Sequence, residues 1–250
     1  MPATPAWPPK SLPRLFVRTP LGEGALVHLD AGQANYLGNV MRLGEGAQVL
    51  LFDGTSGEWL ASVAEAGKKR MRLAVAQRTR WPEAIPDVWL AFAPVKRAQT
   101  DWLVQKATEL GASRLIPVMT QRTIAERVKV DRLEGISIEA AEQCGRTRLP
   151  AIDEPLPLTK LLAERDQQRT LYFADENGGE PAAETFRPGA AMILTGPEGG
   201  FTAEERSAVR AAPNAVAVSL GPRILRAETA ALAALAAFMA ISGDWRLIDS

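Results

Sequence analysis

The strongest constraint on this chain is a change of periodicity part-way along it. From Arg14 to about Gln77, short alternating segments (LFVRT, ALVHL, QVLLFDG, EWLASVAEA and MRLAVAQ) are broken by glycine and read as strands. Asp53-Gly54 and Ser56-Gly57 are turn signals between them. Asn35–Leu43 predicts one short helix. Short strands of this kind predict a small β-barrel over residues 14–77. Residues 78–86 (RTRWPEAIP) hold two prolines and no apolar period, so a linker is expected there. Beyond it, strand and helix patterns alternate. Strands are expected at 88–93, 114–118, 171–174, 192–194 and 216–219. Helices are expected at 99–110, 133–144, 202–211 and 227–241. The first of these helices is amphipathic, carries Trp102, Leu103, Lys106, Ala107 and Leu110 at helical spacing, and should end at Gly111. The third opens with Thr202-x-x-Glu205, a capping box. Such alternation predicts an α/β domain over 87–250, a parallel sheet with helices on both faces.

Composition narrows the chemistry. The chain has 250 residues, 46% hydrophobic and 23% charged, with one His and one Cys. That is enough for two cores, and it excludes a disulfide scaffold and a His/Cys metal centre. His28 is expected in a strand, in a packing or surface role, and Cys144 as a structural thiol. Residues 1–13 hold five prolines and no apolar signal segment, and read as a loose tail. The longest apolar run, 227–241, is interrupted by Glu228 and is too short to cross a bilayer. A cytoplasmic protein with no membrane partner is expected. Net charge is zero, yet residues 1–80 carry ten basic against six acidic side chains. The run Lys68-Lys69-Arg70-Met71-Arg72 is either a solvated turn or a phosphate-contacting patch.

In a parallel α/β sheet, ligands bind beyond the carboxyl ends of the strands. Three strand ends stand out: Asp175-Glu176-Asn177-Gly178-Gly179, Thr195-Gly196-Pro197-Glu198-Gly199-Gly200, and Leu220-Gly221-Pro222-Arg223-Ile224-Leu225-Arg226. The second carries three glycines around one carboxylate and lacks the spacing of a nucleotide-phosphate loop. It is either an ordinary tight turn or a cradle for a ligand with cationic or donor groups. The third is apolar where loops are usually polar, which suits a flat heteroaromatic ring. Arg226 is either paired with Glu228 or Glu198, or a substrate-binding group.

TGPEGGFTAEE (195–205) and SLGPRILRAETAALAAL (219–235), at this spacing, resemble the SPOUT superfamily of S-adenosylmethionine-dependent methyltransferases. The nearest match is the bacterial 16S ribosomal RNA uridine-N3 methyltransferase family. WLVQKATELGASRLIPVMTQR (102–122) and EAAEQCGRTRLPAI (139–152) are similar to that family in order and spacing. RLFV (14–17), NYLGNVMRLGEG (35–46) and LLFDGTSGEW (50–59) resemble its N-terminal domain. The resemblance implies a trefoil-knotted SPOUT domain behind a PUA-like RNA-binding barrel. It also implies a homodimer, S-adenosylmethionine as cofactor, and a target uridine in 16S RNA of the assembled small subunit. Members of the family often carry His near Asn35-Tyr36, where this chain has none.

By that resemblance Phe173, Ala174, Leu194, Thr195, Gly196, Glu198, Gly199, Leu220, Gly221, Ile224 and Leu225 hold the cofactor. Uridine N3 keeps its proton until a base takes it or a cation stabilises the anion. Arg226 is expected to stabilise developing charge on the base or to fix the base, with Glu198 or Glu228 either orienting that arginine or meeting the cofactor's cationic end. Glu142, Gln143 and Arg146 span about one helical turn and either face the substrate, with Arg146 catalytic, or form a surface salt bridge. Arg14, Arg18, Lys68, Lys69, Arg70 and Arg72 are expected phosphate contacts. Two other readings fit the same residues: another RNA methylation on this fold, such as ribose 2′-O transfer, and a non-catalytic RNA-binding assembly factor.

Overall fold

The computed structural model describes residues 12–67, 70–124 and 127–245. They form two compact units. One runs through Ala84 and also takes Ala141–Arg148; the other comprises Ile85–Ala140 and the chain from Leu149.

The first unit is a five-stranded mixed sheet. Its strands are β1 (Arg14–Phe16), β2 (Leu26–His28), β3 (Gln48–Phe52), β4 (Glu58–Ala66) and β5 (Met71–Arg80), in the order β1-β3-β4-β5-β2. β1 pairs parallel to β3 and the other pairs are antiparallel. Among the described residues nothing joins β1 to β2, so the expected barrel is a half-barrel. Its two edge strands, three residues each, are too short to close it. Alternation along β3, β4 and β5 sends Val49, Leu51, Trp59, Ala61, Val63, Met71, Leu73 and Val75 into one core. His28 lies on the outer face of β2, as the alternation requires.

The helix expected over Asn35–Leu43 starts earlier. α1 (Ala31–Asn35) opens on a capping box between Asp30 and Gln33, and runs into a π-helical turn at Tyr36–Val40. The Asp-x-x-Gln signal outweighs the position of the apolar residues.

The stretch expected as a linker begins inside β5, and it is tied down. Arg80 donates to Glu58 and to the carbonyl of Gly145, while Glu83 accepts from the backbone N–H of Thr147 and Arg148. Arg14 corrects another expectation. Its side chain is 3% exposed and donates to Glu58 Oε2 (2.7 Å) and to the carbonyls of Ala141, Glu142 and Arg146. A guanidinium so committed holds structure together and is removed from the phosphate contacts.

Glu58 is the hub of this cluster. Burial opposes its ionisation, but hydrogen bonds from Arg80 and Arg14 outweigh that and hold its carboxyl below the ordinary value of 4.5. A depressed folded-state pKa contributes stability above the unfolded value, and that contribution is lost as pH falls through the folded one. Wild-type protein should therefore lose urea resistance as pH drops below 4.5. Glu58→Gln should start weaker at neutral pH and fall less steeply. Parallel stability curves for the two proteins would sink this assignment.

The second unit is the parallel domain. Its main strands are β6 (Val88–Phe92), β7 (Arg114–Met119), β10 (Thr170–Ala174), β12 (Ala191–Thr195) and β13 (Ala215–Ser219). The short strands β8 (Ala151–Ile152), β9 (Leu156–Pro157) and β11 (Glu180–Pro181) extend it. The order is β11-β13-β10-β12-β6-β7-β8, with β9 beside β7, and every pairing is parallel. The helices are α2 (Arg97–Glu109), α3 (Val130–Cys144), α4 (Leu158–Glu164), α5 (Ala182–Thr185), α6 (Ala203–Ala211) and α7 (Ala227–Ser242). The three short strands, α4 and α5 carry too little periodicity to be read from sequence.

Strand alternation divides the core between two faces. Leu90, Phe92, Tyr172 and Ile193 pack with α2, α5 and α7. Ala91, Leu171, Phe173, Met192 and Leu194 pack with α4 and α6. α7 lies against β10, β12, β6 and α5. Through α7, the chain leaving β13 thus packs against α5 of the β10–β12 connection, in keeping with the trefoil-knotted fold. α2 is turned relative to expectation: Thr100, Leu103, Val104, Ala107 and Thr108 are buried, while Trp102 is 46% exposed and Lys106 pairs with Glu109. The small and hydroxylated residues complete a stripe at helical spacing, which leaves the indole outside. Among the described residues no helix is long and apolar enough to cross a membrane.

Candidate active site

β10, β12 and β13 are adjacent or share a neighbour, so their carboxyl ends open on the same edge of the sheet. The three loops that follow line one cavity of about 370 Å³. That volume falls within the range of small-molecule sites.

Local chemistry shapes each loop. Thr202 caps α6, with its side chain accepting from Glu205 N–H and the Glu205 carboxylate accepting from Thr202 N–H. The other oxygen of Glu205 accepts from Gln121 N–H (2.8 Å), and Arg122 donates to the Gly199 carbonyl (2.6 Å). The turn after β7 therefore braces the glycine-rich loop. Gly200 has a φ of +66°, and a Cβ there would meet Glu176 Oε1 at 2.5 Å. Glycine takes this left-handed backbone without strain, and a side chain there would push the Glu176 carboxylate aside. In the first loop Asp175, its side chain 1% exposed, accepts from Arg206 (3.1 Å) and Arg210 (2.7 Å). Arg206 also pairs with Glu176.

Of the expected cofactor residues, Ala174, Thr195, Gly196, Glu198, Leu220, Gly221, Ile224 and Leu225 line the cavity. Phe173 and Leu194 do not; both are fully buried in the sheet core one position below the loops. Gly199 points away from the cavity, onto Arg122. Arg226 lines the cavity and stands at the N-cap of α7, where its side chain makes no capping bond. Among the described residues it forms no ion pair, so the expected link to Glu198 or Glu228 is absent. Glu228 is buried in the first turn of α7, a favourable place for a negative charge, and is not a lining residue. Arg146 belongs to the first unit, buried against Glu83 (3.2 Å). Arg18, Arg70 and Arg72 are exposed, Arg72 in an ion pair with Glu65. Lys68 and Lys69 lie outside the described residues.

Sequence reading did not assign Asp175, Glu176, Ser219, Arg206 and Arg223 to the cavity. The first two stand in a loop already marked as a strand end, Ser219 closes β13 just before the third, and Arg223 lies inside the third. Arg206 had no signal, because it arrives from the second turn of α6. One buried polar atom is unsatisfied here: Thr195 Oγ1 has no hydrogen-bond partner. Among the described residues no group of His, Cys, Asp and Glu is placed to hold a metal.

Comparison with known proteins matches this architecture. A family profile described as an RNA methyltransferase domain covers residues 82–239, and one described as an RNA methyltransferase PUA domain covers residues 29–75. Ribosomal RNA small subunit methyltransferase E of Rickettsia conorii is 30% identical over 89% of this chain and 93% of its own. The protein of the same name from Synechocystis is 33% identical over 87% and 74%. Ribosomal RNA small subunit methyltransferase E of Neisseria gonorrhoeae, solved bound to S-adenosyl methionine, superposes with a TM-score of 0.86 at 29% identity. That match covers 94% of this chain and all of that one. A structure from Legionella pneumophila with bound cofactor SAM gives 0.85 at 29% identity, over 94% and 99%. On its knotted parallel domain, its N-terminal half-barrel and these matches, the chain belongs to the RNA methyltransferase family that includes ribosomal RNA small subunit methyltransferase E.

Proposed function

We propose that this protein transfers a methyl group from S-adenosylmethionine to ribosomal RNA of the small subunit, at N3 of one uridine in 16S RNA. The observation that carries this reading is the convergence of three loops on one cavity whose donor set fits that cofactor. Thr195 Oγ1 supplies a buried polar atom in need of a partner. Leu220 and Leu225 offer apolar faces to an adenine ring, and Gly196 and Gly221 let the backbone come close. Glu198 and Glu176 place carboxylates beside a ligand with cationic groups. S-adenosylmethionine, when bound, supplies an electrophilic methyl group on a sulfonium. The protein's part is to hold the acceptor against it and stabilise the charge left when N3 loses its proton. Arg226, unpaired at the cavity wall, is the group for that stabilisation. N3 lies on the pairing edge, so the target base must be unpaired or extruded. Arg18, Arg70 and Arg72 on the exposed face of the N-terminal unit are the phosphate contacts of this reading. Arg146 serves by holding the 141–148 segment.

The test is primer extension on small subunits from cells lacking the protein. A methyl at N3 blocks the pairing face, so reverse transcriptase should stop in wild type and read through in the deletion. Add-back of wild type should restore the stop and Arg226→Ala should not. A stop that persists in the deletion removes the assignment, and mass mapping that finds a ribose methyl instead redirects it.

We also infer a homodimer acting in the cytoplasm. Ile224, on the loop beside the cavity, is 90% exposed, and a second copy would cover it. Sedimentation equilibrium should give twice the chain mass of 27.0 kDa, and a monomer mass at micromolar concentration would count against it.

A further inference from the structure

The N-terminal unit carries a stack of groups that ends in solvent. Trp59 is buried in the half-barrel core, 6% exposed. The guanidinium of Arg78 lies 4.6 Å from the centroid of that ring and 3.9 Å from the centroid of Trp81. Trp81 is 76% exposed, the most exposed aromatic side chain among the described residues. The order is thus indole, guanidinium, indole, water.

The end of this stack is held in place. Gly57 has a φ of +95°, and a Cβ there would meet the Arg80 carbonyl oxygen at 2.2 Å and Pro82 N at 3.0 Å. The backbone on both sides of Trp81 therefore lies directly on the β3–β4 turn, and Pro82 restricts the residue before it. From behind, Arg78 backs the ring. An exposed indole fixed in this way loses little freedom when something stacks on it.

Charge indicates what that something is. Among the described residues the Arg78 side chain forms no ion pair and no hydrogen bond, and its Nε is buried without a partner. Among those residues, its positive charge is met by two π faces and by no carboxylate. An uncompensated cation directly behind an open aromatic surface favours a partner that is flat and carries negative charge close by. Arg80, on the same strand, adds a second half-exposed cation, although it is paired with Glu58. An unpaired nucleobase in a phosphate chain meets both requirements, because every base has a π face and is flanked by phosphates.

We propose that Trp81, backed by Arg78 and Trp59, is a stacking platform for one unpaired base of the RNA substrate, lying on the N-terminal unit and separate from the methyl-transfer cavity. The proposal rests on the RNA-modifying function argued above and adds a base contact to a unit for which only phosphate contacts were expected. Stacking of this kind carries no sequence preference, so the platform contributes affinity and leaves the choice of target base to the cavity.

Fluorescence anisotropy with a labelled single-stranded oligouridylate tests it, with a fully paired RNA duplex as control. Trp81→Ala should weaken binding to the single strand about 5- to 150-fold and leave the duplex nearly unaffected. Trp81→Phe, which keeps a smaller ring, should recover most of the loss. Thermal unfolding of Trp81→Ala should match wild type, since the ring is in solvent. Equal affinity of wild type and Trp81→Ala for the single strand overturns the proposal, as does an equal loss on the duplex or no binding of the single strand by wild type. A Trp81→Ala protein that binds RNA normally but changes its self-association would assign the ring to a protein contact and also overturn it. Calorimetric titration with S-adenosylmethionine separates the two levels. Binding by wild type and Trp81→Ala alike leaves the functional reading standing whatever the RNA result. No binding by wild type sinks that reading itself.

Discussion

Arg226→Ala should lower kcat about 10²–10³-fold while S-adenosylmethionine still binds with near-wild-type affinity. The magnitude is that of removing one donor placed where charge develops in a transition state. Structure argues that little else is lost. Arg226 stands at the N-cap of α7 but its side chain makes no capping bond, and among the described residues it has no ion-pair partner. Its truncation should therefore cost less than about 0.5 kcal/mol of stability. A guanidinium also presents a planar fork that an ammonium lacks, so Arg226→Lys should recover only part of the rate. Single-turnover methylation of small subunits, with cofactor affinity measured separately by calorimetry, checks both halves. An unchanged single-turnover rate removes Arg226 from the chemistry. A large loss of cofactor affinity at unchanged rate reassigns it to binding.

The second large effect concerns the packing of α7. Phe238→Ala should destabilise the protein by about 3–5 kcal/mol, a large share of the roughly 5–15 kcal/mol that a domain has in total. Phe238 of α7 is 1% exposed and lies 5.5 Å from the ring of Phe186, just after α5, and 6.3 Å from Tyr172 on β10. Tyr172 and Phe186 are themselves 4.9 Å apart, close to perpendicular. This aromatic trio joins α7 to β10 and to the connection that follows it. Truncation leaves a cavity that the rigid sheet cannot collapse around. Urea unfolding at fixed pH measures it. A loss below about 1 kcal/mol would show that the contact does not hold α7 in place.

Much of the α/β domain was legible because its signals are local. The capping box Thr202-x-x-Glu205, Gly111 closing α2 and the apolar strand segments each encode an element through its nearest neighbours in the chain. The three strand-end loops were legible for the same reason, since glycine, proline and apolar residues cluster in them. Burial on α2 was less so: Trp102 outweighs Thr100 and Thr108 in any hydrophobicity pattern, yet hydroxyls satisfied within the helix pack better there than an indole. Thr108 Oγ1 donates to the Val104 carbonyl and meets Ser137.

By itself the sequence determined the two kinds of periodicity, the elements they imply and the loops that carry chemistry, all properties set within about a turn or a strand. Tertiary structure alone decided that Arg14 is consumed by Glu58 and three carbonyls, that Glu228 is buried away from the cavity, and that Arg206 reaches it from α6. It also decided that Arg78 is stacked between two indoles. The reason is that a charged side chain's role depends on which partners and how much water surround it. Those are fixed by contacts between residues tens of positions apart, which no local pattern records.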